Sequence, residues 1–193
     1  MKEIVFATNN LHKLGEIRNM LSNTYKILSL SDIGFNGDIA ETSSTLEGNA
    51  SLKAGFISDR YGIDCFADDT GLEVDALDGA PGVYSARFAG EGCSYNENVQ
   101  KLLKLMHAKI DRKARFRSVI AYISNGSIQF FEGIVHGEIT LQPQGVHGFG
   151  YDPVFRPDGY EQTFAEMTSE LKNKMSHRAI AVRKLVDFLE PFN

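Results

Sequence analysis

Apolar residues recur along the chain in two rhythms, and these rhythms predict its elements. Ile4 to Thr8 is a short apolar run with β-branched residues, which reads as a buried first strand. Asn9 and Asn10 supply turn and cap chemistry, and Leu14, Ile17 and Leu21 then fall at helical spacing, predicting a helix over Leu11 to Ser22. Tyr25 to Leu30 is a second strand. Residues 31–44 are polar, carry Gly and Asp, and form a long loop of the kind that often carries function. Ser44 and Glu47 fit a capping box for a helix over 45–60, although Gly48 and Gly55 inside it each cost about 1 kcal/mol against Ala.

Asp64 to Ala67 reads as a strand running into Asp68-Asp69-Thr70-Gly71, with Leu72 to Ala76 extended beyond it. A Gly- and Pro-rich loop occupies Gly79 to Arg87. Asn96 to His107 is a helix with Val99, Leu102, Leu103 and Met106 on one side. Phe116 to Ser124 and Ile128 to Ile134 flank Asn125-Gly126, the best hairpin signal in the chain. Gln142 to Pro153 is a Gly-bearing loop. A last helix spans about Ser176 to Leu189, with Ile180, Leu185 and Phe188 inward. Strand, turn and helix at the start, joined later by antiparallel strands, predict an α/β fold with a mixed sheet and helices around it.

Composition narrows the class. The chain has 193 residues, 42% hydrophobic and 23% charged, which is ordinary for a globular protein with a substantial core. A net charge of −5 disfavours nucleic-acid coating and membrane-surface binding, yet a local basic cleft still suits an anionic small substrate. Cys65 and Cys93 stand far apart, outside any C-x-x-C, as in a reduced cytoplasmic protein. No stretch approaches the roughly 20 apolar residues of a membrane span.

Five segments carry candidate chemistry. Thr8-Asn9-Asn10-Leu11-His12-Lys13 sits where a strand end meets a helix N-terminus, a junction whose free N–H groups and dipole suit phosphate; a capped helix with a solvated lysine is the plainer alternative. Asp68-Asp69 ends an apolar strand, and adjacent strand residues face opposite sides, so one carboxylate points into a cleft and the other braces loop backbone. Paired acids there suit Mg²⁺ or proton abstraction from water, while Asp-Asp-Thr-Gly is also good turn chemistry. Glu41, with Glu47 and Lys53 downstream, matters only where the fold brings Glu41 to Asp69. Gly145 to Pro153 offers Phe149 as a stacking face beside the Asp152 carboxylate, or is simply a tight loop. Lys172 and Ser176-His177-Arg178 add donors at a helix start. The histidines at 12, 107, 136, 147 and 177 lack metal spacing, and Lys113, Arg115 and Arg117 share one strand face, read as solvated.

Taken together, these segments resemble the inosine triphosphate pyrophosphatase family. Thr8 to Lys13 is similar to the family's T-x-N-x-x-K opening, with Glu16 following in place; Glu41-Thr42, Asn49-Ala50 and Lys53-Ala54 resemble its E-T-G…N-A-x-x-K-A segment. Ala67 to Asp75 with Gly79 to Arg87 looks like its most diagnostic stretch, and Phe149 to Pro153 and Ser176 to Arg178 complete the set. The chain departs from the pattern at Asn9 and Ser43, where the family often has Gly, at Gly48, where it often has Glu, and at Thr70, where it often has Ser. The resemblance implies one elongated two-lobed domain over residues 1–193, with a central mixed sheet flanked by helices and an active-site cleft between the lobes. It implies hydrolysis of dITP, ITP and XTP to the monophosphate and pyrophosphate, with Mg²⁺, by a cytoplasmic homodimer. By the resemblance, Asp69 is general base and metal ligand, and Glu41 a second metal ligand. Thr8, Asn9, Asn10, Leu11, His12, Lys13, Lys53 and Thr70 hold phosphates or nearby atoms. Phe149, Gly150, Tyr151, Asp152, Lys172, His177 and Arg178 hold the base. A pyrophosphatase for modified nucleotides, as in the Maf-like family, and a non-catalytic nucleotide-binding module are the alternatives.

Overall fold

The structure is a computed structural model that describes residues 2–21 and 23–190. Its strands are β1 (Lys2–Phe6), β2 (Tyr25–Leu28), β3 (Cys65–Val74), β4 (Pro81–Gly82), β5 (Lys113–Ser124), β6 (Ser127–Ile139) and β7 (Phe155–Pro157). Its helices are α1 (Leu11–Leu21), α2 (Leu46–Tyr61), α3 (Tyr95–Met106), α4 (Ser169–Met175) and α5 (His177–Leu189). The strand order is β2-β1-β3-β5-β6-β7, with β4 beside β3. β1 runs parallel to β2 and β3, whereas β4 and β7 run antiparallel to β3 and β6, so the sheet is mixed, as expected. The chain divides into two compact units: residues 1–69, 118–133 and 178–193, and residues 70–117 and 134–177.

In the first unit the period-two rule is obeyed strand by strand. Ile4 and Phe6 of β1, Phe66 of β3, and Ile120 and Tyr122 of β5 join one core cluster, with Leu14, Ile17 and Leu21 of α1 and Ala181, Val182 and Leu185 of α5. Their neighbours Val5, Ala7, Cys65, Ala67 and Ala121 join a second cluster, with Ala50, Ala54 and Ile57 of α2. Alternate side chains thus feed opposite faces, and helices cover both. The second unit centres on Phe116, Phe155 and Phe164, whose ring centroids lie 4.7–5.9 Å apart.

Several expectations are corrected. Of the two readings left open for Asp68-Asp69-Thr70-Gly71, the turn does not hold: these residues are the middle of one ten-residue strand, not its end. Gly71 serves close strand approach: a Cβ there would fall 2.6 Å from the Gly82 carbonyl oxygen. Thr45, not Ser44, caps α2; its backbone is extended and its hydroxyl accepts the Gly48 N–H at 3.1 Å. The second strand stops at Leu28, while β5 and β6 are longer than expected. The segment 169–175 forms an unexpected helix, capped by Thr168, and Ser176 closes it directly before α5. Along α5 the inward stripe is Ala181, Val182 and Leu185; Ile180 is half-buried and Phe188 is 46% exposed. Leu103 of α3 is half-buried and Asn98 takes a buried place instead. The expected helix end at Ser22 lies outside the described residues. Asn125 and Gly126 both have positive φ, which suits the tight link between β5 and β6.

Candidate active site

The first unit gathers acids and bases from four distant stretches of chain. Asn10 caps α1, its Oδ1 accepting the His12 and Lys13 amides at 3.0 and 3.1 Å. Thr8 Oγ1 in turn accepts the Asn10 N–H at 3.1 Å. Two amides that were candidates for phosphate are therefore already satisfied within the turn. Asn9 donates to the Gly37 carbonyl and to Asp38 Oδ1, at 2.9 and 2.8 Å. Leu11 and His12 are exposed. Lys13 Nζ is held 3.0 Å from Asp68 Oδ1.

Asp68 and Asp69 do face opposite ways. Asp68, fully buried, meets Lys13 and also Arg178, whose Nε lies 3.2 Å from Oδ2. Arg178 is 2% exposed and also donates to Glu16. The chain Glu16–Arg178–Asp68–Lys13 thus alternates charge through the interior. Burial pushes the Asp68 carboxyl up, but Lys13 and Arg178 outweigh it and hold the group well below the usual carboxylate range. Burial pulls Lys13 below its ordinary value, against the pull of Asp68. Asp68 thus carries ion pairs to two cations from separate elements.

On the other side, Asp69 meets Glu41 at a shared lysine. Lys53 Nζ lies 2.5 Å from Glu41 Oε1 and 3.7 Å from Asp69 Oδ1. Asn49, one turn before Lys53 on α2, donates to Asp69 Oδ2 at 3.1 Å. Burial raises the Asp69 carboxyl above its ordinary value, with Lys53 and Lys13 opposing. For Lys53, burial pulls down, but Asp69, Asp68 and Glu41 prevail and raise it. Glu41 and Asp69, 28 positions apart in the sequence, are therefore brought together.

In the second unit, two of the other candidates meet one carboxylate. Asp152 Oδ2 accepts from Lys172 Nζ at 2.6 Å and from the Phe149 N–H at 2.8 Å. Lys172 Nζ stands 5.1 Å from the Phe149 ring centroid, and Tyr95 lies against the same ring at 5.9 Å. Gly148 is required here: a Cβ would fall 2.0 Å from Asp152 Oδ2, and its φ is +75°. Tyr151 is buried and donates to the Ser85 carbonyl at 3.0 Å. His177 stacks on Phe116, with centroids 4.5 Å apart and planes within 14°. Thr70, half-buried, follows Asp69 in β3, and Gly150 has positive φ beside Phe149.

Asn49 was given no role of its own from sequence, although it stands in one of the motifs. The signal available was the buried face of α2. Leu46, Asn49, Ala50, Lys53, Ala54 and Ile57 form one stripe, and two of its six members are polar where an ordinary core stripe is apolar.

A family model described as the Ham1 family matches residues 4–188. The chain belongs to the Ham1 family. Among Ham1 relatives, a protein of Porphyromonas gingivalis named dITP/XTP pyrophosphatase is 55% identical over 98% of both chains. One of Flavobacterium johnsoniae with the same name is 51% identical over 97% of both. Two solved Ham1 structures are alike in fold. The Staphylococcus aureus protein has a TM-score of 0.89 at 40% identity, over 98% of this chain and 99% of its own. The Coxiella burnetii protein has a TM-score of 0.91 at 37% identity, over the whole of both chains. The family and the mixed α/β fold agree with the resemblance drawn from the motifs.

Proposed function

We propose that this chain hydrolyses dITP, ITP and XTP to the monophosphate and pyrophosphate, removing deaminated purine nucleotides from the pool. The observation that carries this reading is the meeting of Glu41 and Asp69 at Lys53, with Lys13 held nearby by Asp68. The names of the 51–55% identical relatives support the same activity.

Hydrolysis at the α-phosphorus needs a placed water, a base and neutralised oxygen charge. Asp69 takes the proton from water, and its raised carboxyl makes it a better base than an exposed aspartate. The water oxygen bonds to the α-phosphorus, the bond from that phosphorus to the α,β-bridging oxygen breaks, and pyrophosphate leaves with the bonding pair. Lys13 and Lys53 offset phosphate charge, and the Thr70 hydroxyl donates to a nearby oxygen.

A divalent ion fits the donor set. Glu41 and Asp69 are hard oxygen ligands, and Mg²⁺ is usually held by one or two carboxylates, substrate phosphates and water. Among the described residues no three-member His, Cys, Asp or Glu group stands ready for a metal, so the two carboxylates would hold it together with the substrate. When bound, such an ion lowers the pKa of water and spreads phosphate charge.

The second unit suits the base. Phe149 supplies a stacking face, and Lys172, fixed by Asp152, supplies a donor for a purine 6-oxo group. His177 and Arg178 stand at the start of α5; Arg178 serves through its pairs with Asp68 and Glu16. A 6-amino group would set donor against donor, costing about 1–3 kcal/mol. The reading includes a cytoplasmic homodimer, which light scattering checks; no described helix is long and apolar enough to cross a membrane.

The test is incubation with dITP, XTP, ITP, GTP and ATP plus Mg²⁺, with pyrophosphate and orthophosphate quantified separately. We expect equimolar monophosphate and pyrophosphate from dITP, ITP and XTP, and little from ATP, whose 6-amino group opposes the Lys172 donor; GTP shares the 6-oxo group and differs from ITP only in its 2-amino group. Orthophosphate as the direct product would overturn attack at the α-phosphorus.

A further inference from the structure

Asn49 has no part in the chemistry above, yet it is fully buried inside the acidic cluster. Its side-chain oxygen accepts the Ser43 backbone N–H at 2.9 Å, and its amide nitrogen donates to Asp69 Oδ2 at 3.1 Å. The orientation of the amide is fixed by its partners, since a backbone N–H only donates and a carboxylate only accepts. Ser43 lies two residues beyond Glu41 in the same loop. One side chain therefore grips both the loop that carries one acid and the carboxylate of the other.

The residue type is what this position demands. An aspartate accepts but cannot donate to Asp69, a leucine does neither, and a glutamine is one methylene too long for a closed site. The loop end is also fitted to α2. Ser43 Oγ accepts the Thr45 N–H at 3.2 Å, and a Cβ on Gly48 would fall 1.9 Å from that oxygen. On the far side of Glu41, Asn9 ties down Gly37 and Asp38; Lys53 joins the two acids by charge, whereas Asn49 holds the loop by its backbone and Asp69 by its carboxylate.

We propose that Asn49 is a positioning residue that sets the Glu41 and Asp69 carboxylates relative to each other by clamping the Glu41 loop to Asp69. The inference rests on the roles given above to those two acids, and its test has an arm that needs no activity. In metal-free, nucleotide-free protein, hydrogen–deuterium exchange of residues 37–44 should quicken up to about tenfold in Asn49→Leu, the value of one lost hydrogen bond. Unchanged exchange there would overturn the clamp, whatever the protein hydrolyses.

The kinetic arm uses Asn49→Leu and the isosteric Asn49→Asp, each scored per folded molecule. We expect kcat to fall at least about tenfold while KM stays within about threefold, because the geometry of the acids matters most in the transition state. In a Glu41→Gln background, Asn49→Leu should lower kcat by less than about threefold further, since the two changes act through one arrangement. Variants that retain wild-type kcat, or losses that multiply fully in the double variant, would overturn the positioning role. A wild type that releases no pyrophosphate would instead overturn the functional reading, leaving the exchange result to decide the clamp.

Discussion

At the residue scale, the strand pleat gives two adjacent aspartates opposite charge environments. Asp68 turns to Lys13 and Arg178, and Asp69 turns to Asn49 and Lys53. Their carboxyls move in opposite directions from the ordinary value. Asp69→Asn keeps the shape and the Asn49 contact site but removes the base. It should lower kcat for dITP at least about 100-fold while far-ultraviolet circular dichroism stays unchanged. Near-normal turnover would remove Asp69 from its assigned role. Asp68→Asn leaves two buried cations short of a partner and should cost about 3 kcal/mol in urea unfolding. A change under about 0.5 kcal/mol, the surface-mutation range, would show that the pairs contribute nothing.

The glycines of α2 are informative at the element scale. From sequence both weakened the expectation of a helix, yet the two differ in kind. A Cβ on Gly48 collides with Ser43, so this position must stay small to seat the loop. A Cβ on Gly55 would meet only the Ile123 Cδ1, at an ordinary 3.9 Å. Gly55→Ala should therefore stabilise by about 0.5–1 kcal/mol through helix propensity alone, a rise of roughly 1–4 °C in calorimetric Tm. A lowered Tm would mean that the methyl group is not accommodated. Element ends were the least legible feature. Ser43, Ser44 and Thr45 all carry cap chemistry, and the choice among them follows from backbone direction, which hydroxyl composition does not encode. The middle of β3 was ambiguous for a related reason. Asp, Thr and Gly favour turns in isolation, but pairing Leu72 with Gly82 and Glu73 with Pro81 overrides that local preference.

At the scale of the whole molecule, the buried charges set the pH response. Because the folded Asp68 pKa lies below its unfolded value of about 3.9, the unfolded chain binds more protons near that pH. Its contribution is complete above about pH 5 and is lost as pH falls. Asp69, with a raised pKa, contributes in the opposite sense and loses its part as pH rises through its folded value. The Tm of the wild type should thus fall more steeply between about pH 5 and 3 than that of Asp68→Asn, in a series at constant ionic strength. Equal slopes would show that Asp68 titrates normally. Excess chelator should reduce pyrophosphate release to background and added Mg²⁺ should restore it; full activity in chelator would end the assignment of Glu41 and Asp69 as ligands.

The linear order of residues determined the family, the class of fold and the segments that carry chemistry. Strand and helix periods are local, and the motifs survive as contiguous words, from Thr8 to Lys13 through Ser176 to Arg178. Long-range pairing alone decided which of these residues touch. Parallel pairing of β1 with β3 brings Lys13 to Asp68, and packing of α2 on the strand face opposite α1 brings Lys53 and Asn49 to Asp69. Arg178, which the resemblance assigns to the base, is also seated among carboxylates 110 and 162 positions away. Burial and ion pairing are properties of space, so they emerge only when the chain has closed on itself.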